Sequence, residues 1–240
     1  LNGLTDGGVT RPLTGIGQNP AVLAWSNNPF YNFGSVIAGA TASASLTVTN
    51  SGETPATLGI VSALYLGLYP PFDFDGGTCA TSGVLAADGG SCAIAIVFAP
   101  TDAGTMNGSV NLEYDDGVAT KDAGRAVTGT GIWPGLLSIS DGPTYSYGSA
   151  VVGVKRNKSL TVTNSGGATS TLGTVTTAGL ALATPYALDG GTCGTGFLLT
   201  AGGGACTLVV EFGPVASGDA GDTIDLVYTN GLADAGAARP

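Results

Sequence analysis

Ser45-Leu46-Thr47-Val48-Thr49-Asn50-Ser51-Gly52 decides the fold twice over, because it recurs as Ser159-Leu160-Thr161-Val162-Thr163-Asn164-Ser165-Gly166, 114 residues further on. Leu46 and Val48 alternate with Ser45, Thr47 and Thr49, the period of two that marks a strand with one buried and one wet face. Asn-Ser-Gly then supplies residues that tolerate φ > 0 and turn the chain. Working outward, the same shift aligns Phe33–Tyr114 with Tyr147–Tyr228 without a gap, and 34 of the 82 pairs are identical. Asp75-Gly76-Gly77-Thr78-Cys79 recurs as Asp189-Gly190-Gly191-Thr192-Cys193, and Cys92, Phe98, Pro100 and Tyr114 recur as Cys206, Phe212, Pro214 and Tyr228.

Inside a repeat the pattern is β throughout. Cys92, Ile94, Ile96 and Phe98 alternate along a second strand, and Val110, Leu112 and Tyr114 along a third. Leu58 with Ile60, and Arg125–Thr130, give shorter strands, while Asp75-Gly76-Gly77, Asp88-Gly89-Gly90 and Asp116-Gly117 punctuate them as turns. No helical period stands out. Roughly seven short strands in ~110 residues predict an all-β chain of tandem immunoglobulin-like β-sandwich domains.

The repeat continues to both ends. Leu13-Thr14-Gly15-Ile16-Gly17 matches Val127-Thr128-Gly129-Thr130-Gly131, and at twice the shift Asn2-Gly3-Leu4 falls on Asn230-Gly231-Leu232 and Arg11-Pro12 on Arg239-Pro240. The expected division is therefore 1–17 as the terminal strand of a preceding repeat, 18–131 as the first repeat and 132–240 as a second that lacks its last strand. Leu13, Thr14, Gly15, Ile16 and Gly17 then form an inter-repeat or inter-subunit strand. Either the chain is a window on a long covalent array, or each copy lends this strand to the next. The duplication of Leu1–Pro12 as Thr229–Pro240 favours the array.

Each repeat holds two cysteines, Cys79 with Cys92 and Cys193 with Cys206, with 12 residues between. Two ligands per repeat in a chain without histidine do not close a tetrahedral zinc sphere, and a redox pair needs closer spacing. One disulfide per repeat remains, worth about 3 kcal/mol for a loop of this size, and it points to a secreted or cell-surface setting, extracellular or periplasmic.

Charge narrows the function classes. Seventeen carboxylates face seven Lys and Arg, a balance that repels nucleic acid and anionic lipid. No run of about 20 apolar residues predicts direct membrane insertion. With no histidine and paired cysteines, catalytic nucleophile–base arrangements lack material, so the chain is expected not to be an enzyme, with no cofactor and no metal. Asp115 and Asp116, adjacent in the first repeat, become Thr229 and Asn230 in the second and read as solvated turn acids; Asp122, and the cluster Asp219, Asp222 and Asp225, match no calcium loop.

Phe-Gly-x-Val, Leu-Thr-Val-Thr-Asn-Ser-Gly, Gly-Gly-Thr-Cys, the second Cys, Phe-x-Pro and Thr-Gly-Thr-Gly together resemble the bacterial choice-of-anchor D repeats, similar to hydin-like (ASH-type) immunoglobulin-like domains and to pilus-chaperone sandwiches. The resemblance implies large exported or surface-anchored bacterial proteins and brings no catalytic residues. It fits a structural segment of a fibre, stalk or filament whose partners are neighbouring repeats or identical subunits, head to tail. The alternative is an adhesin-type module for a glycan or cell-surface ligand. Its candidate patch is Tyr65, Tyr69, Phe72 and Phe74, crowded before Cys79. Trp133 and Pro134, at the junction of the repeats, are expected to pack between domains and stiffen the joint. Lys155-Arg156-Asn157-Lys158 reads as a charged strand edge.

Overall fold

The computed structural model describes residues 8, 10–26 and 29–239. In the first repeat the strands are β1 (Leu23–Trp25), β2 (Phe30–Ile37), β3 (Ala42–Asn50), β4 (Ala56–Leu58), β5 (Phe72–Gly77), β6 (Val84–Leu85), β7 (Ser91–Phe98), β8 (Gly104–Asp115) and β9 (Thr120–Ile132). The second holds β10 (Leu137–Ile139), β11 (Arg156–Asn164), β12 (Ser170–Leu172), β13 (Tyr186–Gly191), β14 (Leu198–Leu199), β15 (Gly204–Phe212), β16 (Ile224–Thr229) and β17 (Asp234–Arg239). No helix among the described residues is long and apolar enough to cross a membrane.

Two sheets face each other in each repeat. One has the order β1-β3-β7-β5 and recurs as β10-β11-β15-β13; the other is β2-β9-β8-β4-β6 and recurs, one strand short, as β14-β12-β16-β17. The alternation read from sequence gives the inner faces. Leu46, Val48, Ile94, Ile96, Phe98, Val110 and Leu112 are fully buried in one core, and Leu160, Val162, Leu208, Val210 and Leu226 occupy the same places in the other. A tight turn at 62–68 drops Leu66 and Leu68 between the sheets, as Leu180 and Leu182 do in the second repeat. Cys79–Cys92 and Cys193–Cys206 are both bonded, each tying the loop after β5 or β13 to β7 or β15.

Asn50 and Asn164 do more than turn the chain. Asn50 is fully buried; its Oδ1 accepts from Val22 and Gly52 N–H, and its Nδ2 donates to the carbonyls of Thr54, Leu85 and Ala86. Asn164 repeats this with Leu136 and Gly166 as donors, and Ala168 and Leu199 as acceptors. Only a primary amide offers two donors and an acceptor in so small a volume.

The second repeat departs from the first in one connected region. Arg125–Thr130, expected as a short strand, belongs to the 13-residue β9. The first half of β9 pairs with the far end of β8; its second half, Ala126–Ile132, lies between β2, in parallel, and Gly104–Ser109, antiparallel. β17, Asp234–Arg239, matches only the first half. Residues 144–150 and 218–223, the counterparts of β2 and of the start of β8, form no strand.

Replacing the buried amide leaves several backbone groups without partners, each a loss of about 1–3 kcal/mol. Asn50→Ala and Asn164→Ala should each lower the stability of their own repeat by about 3 kcal/mol or more in urea unfolding. A loss below about 1 kcal/mol would show that water or neighbouring groups replace the amide.

Candidate functional site

Beside β17 the second repeat has a concavity of about 760 Å³. Its walls are 144–150 on one side and 216–222 on the other; Leu160, Leu182, Tyr186, Val210, Phe212 and Ile224 form its floor. In the first repeat the same space is filled by Ala126–Ile132. Val127 is buried there, while Gly129 lies on the Phe98 ring so closely that a Cβ would sit 2.5 Å from Cε1, and Gly131 lies against the Asp102 carbonyl with Pro100 Cβ 3.0 Å from any added Cβ. The filling strand thus carries a side chain inward at one position and none at the next two. In the second repeat the rim is more exposed: Val152 is 49% accessible where its counterpart Ala38 is 9%.

The groove keeps the aromatic arrangement of the filled repeat. Tyr147, Tyr186 and Phe212 have ring centroids 5.0 to 5.8 Å apart, as do Phe33, Phe72 and Phe98. Two phenylalanines have become tyrosines, which suits a surface with one apolar and one wet side. The Tyr147 hydroxyl donates to the Val210 carbonyl at 2.8 Å, and that of Tyr186 to the Ala220 carbonyl at 3.0 Å. Burial, with Tyr145 and Tyr186 beside it, pushes the Tyr147 hydroxyl up to about 12; burial and then Asp222 raise that of Tyr186. At the closed end of the groove the buried Arg239 donates to the carbonyls of Ser140 and Asp141.

The residues singled out from sequence fall in different places. Cys79, Cys92, Cys193 and Cys206 form the two bonds. Leu13, Thr14, Gly15, Ile16 and Gly17 join no strand; Leu13 and Ile16 are 89% and 93% exposed. Asn2–Leu4 and Pro240, used to extend the repeat, lie outside the described residues. The aromatic patch is corrected: Phe72 is buried and stacks on Phe98 at 5.0 Å, and Phe74 packs against the same core, because β5 turns both inward. Only Tyr65 and Tyr69 of the four are exposed, beside Leu64. Trp133 is corrected too. It is 53% exposed, and Gly167 leaves no Cβ space over its backbone rather than its ring. The repeats meet instead where Ile37 abuts Gly231 and Leu232 abuts Gly39.

The acids serve the backbone. Asp116 Oδ1 accepts from Val118 and Ala119 N–H, bonds that hold its carboxyl below the usual range, Asp115 caps Gly117, and Asp222 accepts from Ala183 and Thr223. On β11, Lys155 pairs with Glu211 at 2.7 Å and Lys158 with Asp141 at 2.8 Å, surface contacts of small energetic weight.

The strand orders define an immunoglobulin-like sandwich, and residues 25–129 match the family model described as HYDIN/CFA65/VesB-like, Ig-like domain. Similar solved structures include the VesB protease of Vibrio cholerae (20% identity, 45% of this chain and 31% of that one, TM-score 0.38). The PapD-like domain 7 of human CEP192 is 17% identical over 54% of this chain and 97% of that one, at a TM-score of 0.37. The CsuC–CsuE chaperone–tip adhesion subunit complex of Acinetobacter baumannii pili is 11% identical over 91% of this chain and 97% of that one, at 0.31. No curated protein matches the chain. This chain spans under a third of the VesB protease.

Tyr147 tests the closeness of the groove floor. Its hydroxyl ionises later in the folded chain than in the unfolded one, so its contribution to stability is intact below pH 10 and drains away as pH rises towards about 12. Tyrosinate absorbance should show a late step near 12 that Tyr147→Phe removes, and the variant should lose less stability across that window. Tyr147 ionising with the exposed tyrosines would place its ring away from Phe212.

Proposed function

We propose that the chain is a non-catalytic structural and interaction segment of an exported bacterial fibre, stalk or filament, built from Ig-like repeats set head to tail. The observation that carries this reading is the 114-residue period, which repeats cores, disulfides and the buried asparagine in register across a junction of four residues, Trp133–Leu136. A junction this short, with Ile37 against Gly231 and Gly39 against Leu232, limits how far one sandwich swings on the next. The two disulfides support an extracellular or periplasmic setting, and the neighbours in the structure of this kind are other repeats or identical subunits.

Small-angle scattering of the 240-residue chain should give an elongated two-lobed particle whose dimensions change little with salt, and Ile37→Gly should broaden the distribution of distances. A compact particle, with the sandwiches side by side, would overturn the end-to-end arrangement.

A second reading rests on one observation: Leu64, Tyr65 and Tyr69 stand 60–66% exposed on a turn, and their counterparts Ala178, Gly179 and Ala183 are small. As an adhesin-type module the first repeat would take a glycan or a cell-surface partner on this turn. Retention of the chain on a glycan array, lost in the Tyr65→Ala, Tyr69→Ala double variant, would favour it; no retention returns the turn to the solvent-facing scaffold.

A further inference from the structure

We infer that the opening over Arg125, in the first repeat, is a binding site for an acidic sugar whose carboxylate is taken by the guanidinium. The site is independent of the head-to-tail reading and shares no residue with the exposed turn at Leu64–Tyr69. Its lining comes from β1, the residue before β2, and β9, all inside the first repeat.

Side chains alternate along β9, so Ala123, Arg125 and Val127 face inward while Asp122 faces out. Arg125 is only 4% exposed, and among the described residues neither its Nε nor its Nη2 has a hydrogen-bond partner. A buried charge is tolerated when it is paired and hydrogen-bonded, and an orphaned one calls for a water or an ion. The second repeat shows how the same arginine is otherwise satisfied. Arg239, its counterpart 114 residues on, donates to the carbonyls of Ser140 and Asp141 and leaves only Nε without a partner. The Asp141 carboxylate also lies close: Lys158 first, and Arg239 more weakly, hold it below its usual range. The counterparts of Asp141 and Lys158 are Asn27, which lies outside the described residues, and Ala44. The first repeat therefore keeps the buried cation and lacks the carboxylate that accompanies it in the second.

Arg125 lines a concavity of about 330 Å³ together with Leu23, Trp25, Pro29 and Asp122, a volume at the lower end of small-molecule sites. Three of these groups define the ligand. The planar guanidinium fork matches a carboxylate with two parallel hydrogen bonds. The indole of Trp25, half-buried and fixed by donation from its Nε1 to the Ala123 carbonyl at 3.0 Å, offers an apolar wall against which the C–H face of a sugar ring can lie. Asp122 stands at the mouth, where it accepts from hydroxyl groups and repels a second negative charge. The net charge of −10 adds to that bias against polyanions. One carboxylate on a hydroxyl-bearing ring, the chemistry of a uronic acid, meets all three conditions.

The test follows the indole N–H signals of the two tryptophans in the full nitrogen-15-labelled chain, assigned with Trp133→Phe. Glucuronic acid at neutral pH should move the Trp25 signal saturably and leave that of Trp133 in place. Glucose, with a hydroxymethyl group where glucuronic acid has its carboxylate, should bind about tenfold more weakly or worse, the worth of a charge-assisted pair. Arg125→Lys should weaken glucuronic acid to a similar degree, because an ammonium does not offer the fork. The ligand series uses the unaltered chain and decides the matter even where that variant fails to fold. A Trp25 signal indifferent to glucuronic acid overturns the site and leaves water as the partner of Arg125. Glucose binding as tightly overturns the role of the guanidinium, acetate binding as tightly overturns the sugar, and inorganic phosphate binding more tightly overturns the choice of a carboxylate. The Tyr65→Ala, Tyr69→Ala double variant should titrate like the unaltered chain, which separates this site from the exposed turn.

Discussion

A single buried amide organises each sandwich. Asn50 lies where the chain enters β1, where it leaves β3 for β4 and where it leaves β6 for β7, and it bonds the backbone at all three. Those segments belong to opposite sheets, so the amide fixes how the two sheets meet at that end of the core. Aspartate has no donors for the carbonyls and leucine has neither donor nor acceptor. An arrangement in which every polar group is satisfied is stable only as a whole. Asn164 does the same work in the second repeat with one fewer bond, which helps the two sandwiches keep one geometry while 48 of the 82 aligned pairs differ.

Pairing sets the rest. β2, the first half of β8 and the second half of β9 are strands in the first repeat because each satisfies its neighbour. In the second repeat residues 144–150 and 218–223 form no ladder, although the first of these segments keeps Tyr145, Gly148 and Ser149 of the β2 sequence. Gly148 even keeps the positive φ of 65° that Gly34 adopts at 72° in the bulge of β2, and Ser146 caps its N–H as Asn32 caps that of Gly34. Local conformation survives; hydrogen bonding across the sheet does not.

Much of this was legible in residue order. Strands with one buried face announced themselves by alternation, as at Leu46 and Val48 or Ile94 and Ile96, because burial acts on every second residue. The cysteines were legible because the chain offers them no other chemistry. Residues whose role depends on the facing of a short element were not. Phe72 and Phe74 stand in a run with Tyr65 and Tyr69, yet β5 carries the first two inward while the turn before it leaves the others in water. Trp133 was read from its chemistry as a wedge between domains, but the contact across the junction falls on Ile37 against Gly231 and on Leu232 against Gly39. The length of β9 was hidden by Gly124, Gly129 and Gly131, which weaken a strand by propensity and are there because Asn111, Phe98 and Asp102 leave no room for a Cβ.

The parallel pairing of β2 with β9 has a mechanical consequence. Tension along the chain draws β2 toward the preceding segment and β9 toward the following one. Two parallel strands pulled in opposite directions slide past each other, so the rungs from Phe30–Ala126 to Ile37–Ile132 bear the load together instead of opening one by one. The first repeat is built to resist in shear. The described residues of the second repeat hold no parallel pair of this kind, so the two sandwiches meet a pull differently.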